Sequence, residues 1–108
     1  YLEQYYEYND SNQIVYYSEK KFESKNDVSK ILYFSEIKYQ YVEFDSKILT
    51  NEYHFADGIK TKEKIYTSAS TYYENNFFEG DIKIYSEYKN NKKVLEITYL
   101  QDKEIKRR

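Results

Sequence analysis

Runs of about six to ten residues rich in Tyr, Ile, Phe, Val and Thr alternate along this chain with short polar clusters. In the second half the alternation has a period of two. Ile82, Ile84, Ser86 and Tyr88 fall on one side of a strand, and Lys83, Tyr85 and Glu87 on the other. Leu95, Ile97 and Tyr99 likewise oppose Val94, Glu96, Thr98 and Leu100. A period of two is the signature of β-strands. Both sides carry apolar residues, as expected of a sheet whose second face is covered by aromatics rather than by another layer.

The pattern predicts strands over 2–8, 13–23, 28–34, 37–44, 48–55, 59–67, 71–74, 81–88 and 94–101. No turn chemistry marks Ser35-Glu36, so 28–44 reads either as one long bent strand or as a segment opened by a helical turn with Asp27 as its N-cap. Pro is absent and the only glycines are Gly58 and Gly80. Turns therefore fall to Asn, Asp and Ser, which tolerate left-handed backbone. The clusters are Asn9-Asp10-Ser11-Asn12, Asn26-Asp27, Asp45-Ser46-Lys47, Ala56-Asp57-Gly58, Ser68-Ala69-Ser70, Asn75-Asn76, Asn90-Asn91 and Asp102-Lys103. Connections this short pair neighbouring strands antiparallel. The expected fold is all-β, an antiparallel meander of tandem β-hairpin repeats, as a single twisted sheet or a partly curled half-barrel. It forms one domain over 1–108, with its clearer repeats in 41–101 and a frayed basic tail at 102–108.

Tyrosine supplies the repeat. The intervals Tyr6 to Tyr17, Tyr41 to Tyr53, Tyr53 to Tyr66, Tyr73 to Tyr85 and Tyr88 to Tyr99 run from 11 to 13 residues, a strand plus a turn. Tyr accounts for 16 residues, whereas Ile, Leu, Val and Phe together supply only 25. Tyr rings must therefore provide much of the buried surface, with each hydroxyl at an edge or hydrogen-bonded. A charged fraction of 33% and a mean hydropathy of −1.02 would suit a disordered chain, but the 20% aromatic content opposes that reading.

Charge excludes little. Residues 1–54 hold 6 basic and 10 acidic side chains, and 55–108 hold 11 and 9. A shift from −4 to +2 is too mild for a nucleic-acid surface. With no cysteine, disulfides and thiolate metal sites are absent. The apolar runs are short of a membrane span. The first residue is not Met, which favours a processed, exported chain, periplasmic or surface-bound.

The segment Tyr72-Tyr73-Glu74-Asn75-Asn76-Phe77-Phe78-Glu79-Gly80 resembles one unit of the MORN-repeat variant of bacterial proteins, including the YwqK-like antitoxin family. Tyr88-Lys89-Asn90-Asn91-Lys92-Lys93 is similar to the half-unit that follows, and Tyr53-His54-Phe55-Ala56-Asp57-Gly58-Ile59-Lys60 to another copy. Most of the family's glycines are here Asn, Ser or Lys. The resemblance implies a meander of hairpins and contacts with proteins or membranes. It carries over no catalytic residue.

Candidate chemistry is sparse. His54 is the only histidine, placed by alternation with Glu52 and Thr50, and no second ligand stands at a recognisable spacing. Glu43 and Asp45 pair two residues apart, as chance allows among 19 acids. Lys60, Lys62 and Lys64 alternate toward Tyr66 and, with Tyr53, Tyr85 and Tyr99, form the candidate interaction face. Aromatic-and-basic surfaces of this kind suit a protein, a strand of nucleic acid or phospholipid headgroups. Tyr is enriched at protein interfaces. The expectation is thus a non-enzymatic protein-interaction module without cofactor, with an antitoxin-type inhibitor or a small ligand-binding half-barrel as alternatives. Membrane-surface contact is a lesser expectation, and the edge strands are expected to pair with another copy.

Overall fold

The computed structural model describes the backbone of residues 1–108 and the side chains of 1–26 and 30–108. Nine strands follow one another: β1 (Leu2–Tyr8), β2 (Ile14–Ser24), β3 (Asp27–Phe44), β4 (Lys47–Ala56), β5 (Ile59–Tyr66), β6 (Thr71–Phe78), β7 (Ile82–Lys89), β8 (Lys92–Leu100) and β9 (Lys103–Arg107). They lie side by side in sequence order in one sheet, every neighbour antiparallel. The sheet is open: β1 and β9 do not meet. Eight inter-strand spacings of about 4.8 Å span roughly 38 Å. The molecule measures 48 × 39 × 19 Å, so the sheet is spread rather than rolled.

Turn chemistry explains the boundaries. Asp45-Ser46, Asp57-Gly58, Asn90-Asn91 and Gln101-Asp102 have positive φ at both residues. Their backbone twist matches that of the flanking strands. Asn9 holds its loop differently, its Oδ1 accepting the backbone N–H groups of Ser11 and Gln13. With no such residues at Ser35-Glu36, the chain runs straight through. The segments expected as 28–34 and 37–44 are one strand, β3, whose Asp27–Lys38 part pairs with β2 and Ser35–Phe44 part with β4. A helical turn at 27–30 does not form. The capping role considered for the Asp27 side chain lies outside the described residues.

Two expectations change. Asn75-Asn76 is not a turn: Asn75 sits opposite Tyr85 in mid-sheet, and β6 continues to Phe78. The turn lies at Glu79–Asp81, where Gly80 and Asp81 take positive φ. The basic tail is not frayed, because Lys103–Arg107 pairs with β8, and Glu96 and Arg108 exchange backbone hydrogen bonds.

Almost nothing is interior. Among the described residues only Phe22 and Ile97 are buried apolar side chains, at 5% and 4% exposure. The other buried groups are the small polar side chains Ser18, Asn51, Asn75 and Ser86. A single layer offers little depth, so most of the covered side chains are short ones overlain by longer neighbours. Asn51 uses that position, its Oδ1 accepting the Tyr66 N–H at 2.8 Å where the β4–β5 ladder ends.

Candidate interaction faces

Register and strand alternation assign each side chain to one of two faces. On the first, the Tyr53 face, Lys38, Tyr53, Glu63, Asn75, Tyr85 and Ile97 form a row across β3 to β8. On the second, the His54 face, Glu52, Lys64, Glu74, Ser86 and Glu96 form the matching row across β4 to β8. The seven residues expected to share one surface are divided. Tyr53, Tyr85, Tyr99 and Lys60 lie on the Tyr53 face, whereas Tyr66, Lys62 and Lys64 lie on the His54 face. A bulge between His54 and Phe55 causes the split among the lysines. It moves Lys60 opposite Phe55, while Lys62 stays opposite His54.

On the Tyr53 face, the Lys60 ammonium lies 5.4 Å from the Tyr53 ring centroid and 3.2 Å from Glu63 Oε2. Lys83 sits 4.7 Å from the Tyr99 ring, and Lys38 5.1 Å from Phe55. The Tyr73 and Tyr85 rings meet at 5.6 Å. The Tyr85 hydroxyl donates to Glu87 at 2.7 Å. Burial and then that bond push the Tyr85 pKa up to about 12. Asn75 donates to Glu63 at 2.9 Å, and its Oδ1 is a buried acceptor with no donor among the described residues.

On the His54 face, Tyr66, Tyr72 and Tyr88 form a ladder with centroid separations of 5.1 and 4.7 Å. Lys64 caps it, 5.2 Å from Tyr66 and 4.4 Å from Tyr72. Partial burial opposes the Lys64 charge, but its contacts with Tyr66, Tyr72 and Glu52 prevail and raise its pKa. Lys62 pairs with Glu74 at 3.9 Å. His54 rests on Glu52, Nε2 to Oε1 3.2 Å, half-exposed. Glu43 and Asp45 are solvent-exposed beside the β3–β4 turn. Among the described residues no three of His, Asp and Glu converge as a metal site.

The Tyr72–Tyr88 stack escaped the sequence reading because a turn at Asn75-Asn76 puts these rings out of register. Placing the turn at Glu79–Asp81 sets Tyr72 opposite Tyr88 and Asn75 opposite Tyr85. Lys60, Lys62 and Lys64 are already engaged with rings and carboxylates of their own sheet. Each face is therefore an amphipathic, charge-balanced surface rather than a basic platform. Comparison with protein-family models, curated proteins and solved structures finds no match to the chain.

Proposed function

We propose that this chain is a non-enzymatic module that binds a protein partner across its Tyr53 face. One observation carries the reading. Phe34, Val42, Phe44, Leu49, Phe55, Ile65, Phe77 and Leu95, together with Tyr53, Tyr73, Tyr85 and Tyr99, are half-buried on one side of a sheet that has no second layer. A contiguous amphipathic face of this size is the usual mark of a protein contact. Its Tyr rings give large contact area at small entropic cost. The antitoxin form of this reading rests on the resemblance of 72–80 alone and would require a toxin partner encoded nearby.

A photo-crosslinking residue in place of Tyr85, on the Tyr53 face, tests the proposal inside the native cell. The expected result is one crosslinked protein species, lost when excess unmodified chain competes and retained when Tyr88 on the opposite face is changed to Ala. Absence of any competable crosslink would overturn the reading.

A further inference from the structure

Within the Tyr53 face the row of side chains is interrupted at Ser18. Ser18 pairs with Tyr5 of β1 on one side and with Glu36 of β3 on the other. Its own side chain is short and only 6% exposed. The space above it is a trough of about 350 Å³ lined by Glu3, Tyr5, Glu7, Tyr16, Lys20 and Phe34 over the Ser18 floor. Glu36, the register partner of Ser18 on β3, stands beside the trough, whose β3 lining is Phe34.

The walls have a definite chemistry. Tyr5 and Tyr16 meet edge to face, centroids 6.1 Å apart, at an interplanar angle of 65°. The Tyr16 hydroxyl donates to Glu36 Oε2. Burial, followed by that bond, raises the Tyr16 pKa, so the phenol stays neutral and holds the Glu36 carboxylate beside it. Glu3 and Glu7 flank Tyr5 on β1. Neither forms an ion pair among the described residues. Two cations are in reach, and both are occupied: Lys20 lies 5.2 Å from the Phe34 ring, and Lys38 is drawn toward Phe55. The β1 and β3 backbones are separated by two strand spacings, roughly 9.6 Å. A cation seated over Ser18 would thus lie between Glu36 on β3 and the Glu3 and Glu7 positions that flank Tyr5 on β1.

We infer that this trough receives an arginine side chain from an extended segment of the protein partner. A guanidinium is planar. It stacks on aromatic rings, pairs in the plane with carboxylates, and is less strongly hydrated than an ammonium. Tyr5 and Tyr16 supply the rings, and Glu3, Glu7 and Glu36 the carboxylates. Glu3, Glu7 and Glu36 against Lys20 and Lys38 leave the trough negative by one charge, which disfavours an anionic or acidic segment. This inference deepens the protein-interaction reading and rests on it.

The test titrates the intact chain, followed by amide chemical shifts, with a blocked Gly-Ser-Arg-Ser-Gly peptide and with the same peptide carrying Lys or Ala at its centre. The expected result is saturable movement of Ser18, Tyr16 and Glu36 by the Arg peptide in the millimolar range. The Lys peptide should bind more weakly and the Ala peptide not at all. Filling the trough by Ser18→Leu should weaken Arg binding about tenfold. The exposed double substitution Glu3→Gln, Glu7→Gln should weaken it too, without demanding any repacking. No saturable shift at Ser18, equal binding of the Lys peptide, or undiminished binding by both variants would overturn the inference. A null titration beside a surviving Tyr85 crosslink would discard the trough alone.

Discussion

At the scale of single residues, tyrosine works in this sheet as a neutral hydrogen-bond donor. Tyr16 donates to Glu36, Tyr17 and Tyr33 to Glu19, and Tyr85 to Glu87. Each ring covers the strand beside it while its hydroxyl satisfies a carboxylate, so both groups reach the surface in partnership. The same arrangement makes the fold sensitive to alkali. Burial first, and Glu87 second, raise the Tyr85 pKa to about 12. Burial likewise raises Tyr16, Tyr17, Tyr39, Tyr72 and Tyr73, and the Glu19 bond raises Tyr33. For an acid whose pKa is higher in the folded state, the stabilisation is complete below the unfolded value near 10 and disappears as pH rises through the folded value. Urea midpoints should therefore hold steady from about pH 7 to about 10 and fall between about 10 and 12. Tyr85→Phe should flatten part of that fall, and a midpoint indifferent to Tyr85→Phe across this window would refute its role.

At the scale of strands and turns, the five turns with paired positive φ set the register of the hairpins they join. Four use Asn, Asp, Ser or Gly, but the β8–β9 turn places Gln101 at φ 51°. A side chain of that length gains nothing from left-handed backbone, which costs about 1 kcal/mol or more. Gln101→Gly should relieve part of that cost and stabilise the protein by about 0.5–1 kcal/mol in denaturant unfolding, and a loss of stability would show that the turn is not strained. This turn also shows what the sequence conceals. The strand content, the antiparallel order and most turns were legible because period-two alternation and Asn/Asp/Ser clusters are local signals. Asn75-Asn76 carries the same turn chemistry as Asn90-Asn91, yet it lies in a strand because Gly80-Asp81 offers a better turn four residues on. Asp102 marked a turn, but the basic residues after it read as a frayed tail and hid β9. The faces were less legible than the strands. A bulge such as that at His54/Phe55 reverses every later side chain, so seven residues that alternate neatly in sequence fall on two surfaces. The Ser18 trough depends on three strands at once and has no local signature.

At the scale of the whole molecule, the sheet substitutes breadth for depth. Phe22 and Ile97 are the only buried apolar side chains among the described residues, and the remaining apolar surface is half-covered by neighbours within one layer. β3 joins an N-terminal hairpin, which bears the Ser18 trough, to the β4–β9 meander, and its length brings the two into one continuous face. A plate of this kind leaves both of its faces without a second layer. Such a shape is measurable. The radius of gyration over Cα atoms is 16.9 Å, against about 13 Å for a compact domain of this length. Small-angle X-ray scattering of the isolated chain, with mass taken from the forward intensity, tests the uncovered single layer most directly. The account predicts a radius of gyration near 17 Å for a particle with the mass of one 13.3 kDa chain, or the same single-layer thickness in a two-chain particle joined edge to edge. A one-chain particle near 13 Å, or a two-chain particle with the thickness of a face-to-face sandwich, would contradict it.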